Sequence, residues 1–229
     1  MLFLLTPAEH VRGIPGTSDV TTDPMETAPL VTVYVVDDDD SFLRSLTRLL
    51  RAAGYTVTAH SSATELLASL TTGTRGCILT DLRMPGMDGM ALQDALLRKG
   101  SPLPIVFLTG HGDIPVTVQA MRRGAEDFLT KTAPRDQVLA AVERALARDE
   151  REHTTRQRRE TLRRQFETLS PRECEVLRGV LAGCLNKQIA ADLGIHERTV
   201  KLHRSGVTAK LGVHSVAELT RLAQEAGFQ

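Results

Sequence analysis

Short apolar segments alternate with amphipathic segments from residue 31 onward. Residues 31–36 form a β-branched run that is typical of a strand covered on both faces. Leucines then recur at helical spacing from Leu43 to Leu50, and Gly54 follows as a helix stop. The alternation continues and predicts strands over residues 55–59, 76–80, 104–109 and 125–130, with helices beginning near residues 61, 88, 114 and 134.

Five strand–helix repeats predict an α/β domain with a parallel sheet and right-handed crossovers. This is the doubly wound, flavodoxin-like plan, with five strands in the order 2-1-3-4-5. In such sheets, ligands bind outside the carboxyl ends of the strands. The sequence contains no G-x-G-x-x-G motif and no P-loop, so a dinucleotide or a nucleoside triphosphate would lack its phosphate cradle.

The pattern changes after residue 147. Residues 148–168 are strongly charged with sparse apolar positions, which favours a solvated helical linker over a phosphate-binding segment. Four short helices are predicted over residues 169–229, and the first opens with the capping-box spacing of Ser170 and Glu173. Asn186 is predicted to cap the second. A tight turn then leads into a basic third helix, which predicts an all-α helix-turn-helix domain.

Composition and charge indicate which kind of partner and which cellular compartment to expect. The 229 residues carry 28 basic and 28 acidic side chains, yet residues 148–229 hold 15 bases against 11 acids, net +4, which favours a polyanionic partner. Three cysteines without a C-x-x-C pair indicate free thiols in a reducing compartment. No apolar run is long enough to span a membrane, and the first residues lack a signal peptide's basic region, so we predict a cytoplasmic protein with no membrane partner. Residues 1–30 are predicted to be a disordered extension, with Met25 as the natural start or residues 1–24 dispensable.

Polar residues follow the predicted strands where each one ends. Asp37 and Asp38 end the first strand, Asp81 ends the third, Thr109 ends the fourth, and Lys131 follows the fifth. In a 2-1-3-4-5 sheet these four ends converge on one edge. Three carboxylates together require a cation, and their oxygen ligands suit Mg²⁺. Asp39 is expected to face solvent nearby, and Asp40 or Ser41 to cap the following helix.

One of these carboxylates can attack a phosphoryl group and form an aspartyl phosphate. Asp81 is the best candidate, because it stands alone at a strand end between the acid pair and Thr109. Mg²⁺ and Lys131 would neutralise the charge on the transferring phosphoryl oxygens, and Thr109 would donate its hydroxyl to one of them. The alternative is that Asp81 only begins a turn, as Asp often does. The four matching strand ends argue against this alternative.

The motifs VVDDDD, TDLRMPGMDG, FLTGHGD and DFLTK resemble the receiver domain of two-component response regulators over about residues 31–147. The sequence departs from that family where Lys131 precedes Thr132 in place of the family's usual Pro, which often follows a cis bond, so the loop after Lys131 is expected to differ. Phe128 is either the family's switch aromatic or a plain core residue. The resemblance implies Asp81 as the phosphoacceptor; Asp38, Asp81 and the backbone carbonyl of Arg83 as Mg²⁺ ligands supported by Asp37; Thr109 as the switch hydroxyl; Lys131 as the phosphate-binding ammonium; and Phe128 as the aromatic that changes rotamer.

The C-terminal segments LSPRECEVL and NKQIAADLGIHERTVKLHRSGVTAKLGVHS resemble LuxR/NarL-type helix-turn-helix domains, and the whole chain resembles the FixJ branch of these regulators over about residues 31–226. The second helix of such a motif enters the major groove of DNA. For any one Lys or Arg, a solvated surface position remains the default interpretation. Base contacts are predicted for Lys201, Leu202, His203, Arg204 and Ser205, and phosphate contacts for Asn186, Lys187, Thr199 and Lys210.

These features predict a phosphorylation-activated transcription regulator and not an enzyme. A sensor histidine kinase would phosphorylate Asp81, a homodimer would form through a face around residues 113–130, and the dimer would bind double-stranded DNA. One alternative is a phosphatase of the haloacid dehalogenase kind, although its nucleophile would lie on the first strand. A second alternative is a constitutive DNA-binding protein whose receiver is a non-switching scaffold.

Overall fold

The computed structural model describes residues 30–110 and 114–228, so the prediction for residues 1–29 lies outside the described part. Strands and helices alternate in the first part of the chain, as the apolar pattern predicts. The elements are β1 (Thr32–Val36), α1 (Asp40–Ala52), β2 (Val57–His60), α2 (Ala63–Ser69), β3 (Gly76–Asp81), α3 (Gly89–Arg98), β4 (Ile105–Thr109), α4 (Ile114–Arg122), β5 (Asp127–Thr130) and α5 (Arg135–Glu167).

The five strands form one sheet in the order β2-β1-β3-β4-β5, and every neighbouring pair is parallel. Successive side chains of a strand point to opposite faces, so both faces of the central strands need cover. One core lies around Val33, Leu50 and Val142, and the other around Ile78 and Phe107. The predicted doubly wound fold and strand order are confirmed.

The start of α1 corrects one prediction. The capping residue is Asp39, whose Oδ1 accepts hydrogen bonds from the backbone N–H groups of Ser41 at 2.8 Å and Phe42 at 3.2 Å. Asp40 and Ser41 are already helical, because Asp39 is the last residue with extended backbone. The prediction of Asp40 or Ser41 as the cap was therefore wrong, whereas the predicted exposure of Asp39 is confirmed.

Helix α5 runs without a break through the charged segment from residue 148 and is 33 residues long, which corresponds to about 50 Å. A buried ion pair fastens its middle to the sheet, because Arg75 Nε lies 2.7 Å from Asp149 Oδ2. The same oxygen accepts a hydrogen bond from the backbone N–H of Gly76 at 3.2 Å. The predicted linker segment is thus part of the last helix of the α/β domain.

The C-terminal part contains four short helices around a separate core that includes Val176, Leu177 and Val200. The capping box of Ser170 and Glu173 is present as predicted. Asn186 does not cap the second helix, because its backbone is already helical and the cap position belongs to Leu185, whose N–H donates to Gln188 Oε1 at 2.7 Å. The helices are α6 (Pro171–Leu181), α7 (Asn186–Leu193), α8 (Glu197–Leu211) and α9 (Val216–Ala226). No helix in the described ranges combines the length and apolar character needed to cross a membrane.

Gly76 allows β1 and β3 to approach each other at the start of the sheet. Its φ is +129°, and a Cβ at this position would lie 1.8 Å from the backbone oxygen of Thr32. Gly73 also has a positive φ, but nothing lies within 4 Å of its Cβ position. We expect Gly76→Ala to lower the free energy of unfolding by more than about 3 kcal/mol, and Gly73→Ala by about 1 kcal/mol.

Urea unfolding measures this difference through the fluorescence of Tyr34 and Tyr55, the only tyrosines of the chain and both in the α/β domain. Similar losses for the two variants would show that the approach of β1 to β3 tolerates a side chain.

Candidate functional site

The carboxyl ends of β1 and β3 and the residue after β5 meet around one ammonium group. Lys131 Nζ lies 2.7 Å from Asp37 Oδ2 and 2.8 Å from Asp81 Oδ2. Asp38 is exposed beside them, and each of the three carboxylates offers an oxygen within 4.8 Å of the others. The parallel sheet therefore brings together Asp37, Asp38, Asp81 and Lys131 from three separate segments of the chain.

The electrostatics of this cluster leave negative charge in excess. Burial raises the pKa of Asp37, and its hydrogen bond from Lys131 offsets part of that effect. Burial alone would lower the pKa of Lys131, but its hydrogen bonds to Asp37 and Asp81 outweigh burial and raise it. Asp37 Oδ2 is buried and accepts no well-directed hydrogen bond despite its short distance to Lys131 Nζ. One ammonium beside three carboxylates leaves an excess of negative charge, which suits a divalent cation.

The immediate surroundings of Asp81 orient its carboxylate. Its Oδ1 accepts a hydrogen bond from the backbone N–H of Arg83 at 3.3 Å, while Lys131 contacts Oδ2. Gly89 brings the start of α3 close, since a Cβ there would lie 2.4 Å from the backbone oxygen of Asp81. Lys131 Nζ also lies 4.7 Å from the centre of the Phe42 ring. Gly89 and Phe42 could not be predicted from the sequence, because neither carries a group that marks a site by itself.

Thr109 and Phe128 lie on the neighbouring strands. Thr109 is buried at the end of β4, and its backbone oxygen accepts a hydrogen bond from the Lys131 N–H at 2.7 Å. Phe128 is half-buried on β5 and packs 5.8 Å from Phe107 between ring centres. No peptide bond of the described residues is cis, and the loop after Lys131 closes with a hydrogen bond from Ala133 N–H to Thr130 O at 2.9 Å.

The second candidate surface is the helix-turn-helix formed by α7 and α8. Gly194 turns the chain between these helices with φ +63°. Leu202 is 70% exposed at the surface of α8. Arg204 donates a hydrogen bond to Asn186 Oδ1 at 2.6 Å and so joins the two helices. Among the other residues that were predicted to contact DNA, the exposed ones are Lys187, Lys201 and Ser205, and the half-buried ones are Thr199 and His203.

The ammonium group of Lys210 is held within the domain by two acceptors, whereas that of Lys201 has one ion pair, at 3.5 Å from Glu197 Oε1. Lys210 donates to Glu173 Oε2 at 2.7 Å and to the backbone oxygen of Thr168 at 3.1 Å. The hydrogen bonds from Lys210 and from the backbone of Ser170 lower the pKa of Glu173 to about 2. Gly206 permits this approach, since a Cβ there would lie 2.7 Å from Glu173 Oε1. A DNA phosphate would have to compete with both acceptors for Lys210.

Comparisons with known proteins match both parts of the chain. Residues 33–143 match the family model described as the response regulator receiver domain, and residues 167–223 match the model described as bacterial regulatory proteins, luxR family. Nodulation protein W of Bradyrhizobium diazoefficiens is 43% identical over 196 residues, which cover 86% of each chain. The transcriptional regulatory protein FixJ of the same organism is 40% identical over 86% of this chain and 96% of that protein. The solved structure of the response regulator StyR superposes with a TM-score of 0.76 at 42% identity, over 86% of this chain and 99% of StyR.

The ion pair of Glu173 and Lys210 is expected to stabilise the C-terminal helices in a pH-dependent way. Lys210→Met removes the ammonium and is expected to destabilise the C-terminal helices by about 1–3 kcal/mol at pH 7. The pKa of Glu173 is lower in the folded state, about 2, than in the unfolded chain, about 4.5. The ionised carboxylate therefore stabilises the fold above pH 4.5, and this stabilisation is lost as the pH falls towards about 2. The difference between variant and wild type should therefore shrink over that range.

Urea unfolding followed by far-ultraviolet circular dichroism at pH 7, 4 and 3 measures this difference. Lys187→Met serves as the control, since Lys187 is exposed and forms no ion pair with any described residue. A difference for Lys210→Met that stays constant across these pH values would contradict the assigned pairing.

Proposed function

Because the chain belongs to the FixJ branch of the two-component response regulators, which are phosphorylation-dependent transcription regulators, we propose that Asp81 accepts the phosphoryl group that controls it. A receiver domain implies a sensor kinase as partner, and a LuxR-type domain implies DNA binding. The observation that carries the proposal is the contact of Lys131 with both Asp37 and Asp81 at the carboxyl edge of the sheet.

Three carboxylates share this edge, and their surroundings favour Asp81 as the nucleophile. The side chain of Asp37 is only 1% exposed, which closes it to a phosphodonor. Asp38 is exposed and has no ion pair with Lys131. The side chain of Asp81 is 10% exposed and is held by Lys131, so it is both reachable and oriented.

The proposed reaction is a phosphoryl transfer from a histidine of the kinase. A carboxylate oxygen of Asp81 forms a bond to phosphorus while the phosphorus–nitrogen bond of the donor breaks. The electron pair of that bond stays on the imidazole nitrogen, which takes up a proton from solvent. Lys131 neutralises charge on the phosphoryl oxygens during the transfer.

Mg²⁺ is the proposed cofactor, because three carboxylates beside a single ammonium carry an excess of negative charge that fits a hard cation with a preference for oxygen ligands. The residues that would hold it are Asp37, Asp38, Asp81 and the backbone carbonyl of Arg83. When bound, Mg²⁺ supplies positive charge that stabilises the transferring phosphoryl group. The reaction ends with the phosphorylated protein, so we propose no turnover of phosphomonoesters.

Phosphorylation replaces the single negative charge of the Asp81 carboxylate with the roughly two charges of an acyl phosphate, and it adds three phosphoryl oxygens that accept hydrogen bonds. We propose that the Thr109 hydroxyl donates to the new phosphoryl group and that Phe128 changes rotamer as β4 and β5 adjust. The resulting face for homodimerisation includes an apolar stripe on α4, with Ile114 78%, Val118 44% and Met121 44% exposed. Comparisons with FixJ-type regulators do not favour the alternative of a non-switching receiver scaffold.

A dimer presents two copies of α8 to double-stranded DNA, and its linked binding is much tighter than that of one domain. Lys201 and Leu202 are the most favourable base-contacting residues, because both are exposed on α8. His203, Arg204 and Ser205 complete the proposed base-contacting set, and Asn186, Lys187, Thr199 and Lys210 the phosphate-contacting set. We place this activity in the cytoplasm, where the kinase's phosphodonor and the chromosome are both accessible.

Intact-mass spectrometry after incubation with acetyl phosphate and Mg²⁺ tests the phosphoacceptor. Wild-type protein is expected to gain one phosphoryl group, and Asp81→Asn none, because an amide cannot act as the nucleophile. Chelation of Mg²⁺ should slow the gain by at least about tenfold. Asp136→Asn is the matched control, since Asp136 is an exposed aspartate on α5 outside the cluster. An adduct that persists in Asp81→Asn would contradict the assignment.

A further inference from the structure

A cavity of about 480 Å³ opens at the amino edge of the sheet, opposite the carboxylate cluster. Two loops form its rim, residues 70–75 before β3 and residues 99–102 before β4, and the exposed Arg156 and half-buried His153 of α5 form its third side. Its volume falls within the range of about 300–1,000 Å³ that is typical of small-molecule sites. The site described above uses none of these residues.

Basic groups line this cavity without any acidic residue among them. Arg75, Lys99 and Arg156 all contribute to the lining. The charge of Arg75 is already neutralised, because its guanidinium contacts Asp149 and Glu150, each at 2.7 Å. Lys99 Nζ donates a hydrogen bond to the backbone oxygen of Leu67 at 3.4 Å, but neither Lys99 nor Arg156 forms an ion pair with any described residue. Two lining cations without an acidic partner would be stabilised by an anion in the cavity.

The rest of the lining suits the organic part of a ligand. Leu70, Leu96 and Pro102 supply apolar surface. The loop from Thr71 to Thr74 is a closed turn, in which Thr71 N–H donates to Thr74 Oγ1 at 3.0 Å and Thr74 Oγ1 donates to Thr71 O at 2.8 Å. The rim is therefore already shaped before a ligand arrives, which lowers the entropic penalty of binding.

We propose that this cavity binds a small organic phosphate of about the size of a nucleoside monophosphate. Lys99 and Arg156 hold the phosphate group, and the apolar wall receives the organic part. The ligand contacts both the rim loops of the α/β domain and helix α5. Its contact point on α5 lies one to two turns after Asp149, the residue that pairs with Arg75. Its binding thus stiffens the junction through which the α/β domain is connected to the C-terminal helices.

Isothermal titration calorimetry on the full chain at low ionic strength tests the proposal with adenosine monophosphate, adenosine and inorganic phosphate as probes. The cavity variant combines Lys99→Gln with Arg156→Gln. The matched control combines Arg98→Gln with Arg159→Gln, which removes two exposed cations from the same two helix regions without touching the cavity lining. Each single change of the cavity variant, together with circular dichroism, separates loss of binding from loss of folding.

We expect wild-type protein to bind adenosine monophosphate at least about tenfold more tightly than either other probe, because only this probe uses both the basic and the apolar lining. The cavity variant should weaken that binding by at least about tenfold, and the control by less than about twofold. Absence of binding to wild type, equal affinity for adenosine or inorganic phosphate, or equal weakening in both double variants would overturn the proposal.

Discussion

The contacts of Lys131 with Asp37 and Asp81 are the interaction on which the carboxyl edge of the sheet depends. Unit charges of the same sign at about 4 Å repel by about 1 kcal/mol in water and by more in a protein, so the carboxylates at the ends of β1 and β3 need a shared cation. Lys131 supplies it from the end of β5, and its backbone N–H is bonded to Thr109 at the end of β4. A change of charge at Asp81 therefore acts directly on the residue that connects β4 and β5, the strands that border α4.

Helix α5 connects the α/β domain to the DNA-binding helices. It is one continuous helix from Arg135 to Glu167, and the buried pair of Arg75 and Asp149 ties it to the amino end of β3. Farther along, Arg158 forms an ion pair with Glu225 of α9. Helix α5 therefore contacts the sheet through one ion pair and the C-terminal helices through another. A continuous helix with both contacts is a stiffer connection than a flexible linker.

Local patterns in the sequence predict much of this architecture. The parallel sheet follows from five apolar segments separated by helical spacing, and its strand order is that of the flavodoxin-like plan. The convergence of Asp37, Asp38, Asp81 and Lys131 follows from that order. What the sequence could not provide is the choice among chemically equivalent neighbours. Asp39 and Asp40 are equally good caps until the backbone of Asp39 is seen to be extended. The pairing of Lys210 with Glu173 and of Arg75 with Asp149 joins residues 37 and 74 positions apart, and Gly76 and Gly89 reveal their roles only through the backbone atoms that they approach.

In the proposed mechanism, the charge at Asp81 controls the helix-turn-helix at the other end of the chain. The most direct test measures DNA affinity and dimer fraction on the same samples as a function of the phosphorylated fraction, with a duplex selected by the phosphorylated protein. We expect both quantities to rise together with phosphorylation, and the DNA affinity to rise by at least about a hundredfold, because two linked domains replace one. Full affinity in the unphosphorylated protein, unchanged on phosphorylation, would contradict this mechanism and would favour a receiver that serves only as a scaffold.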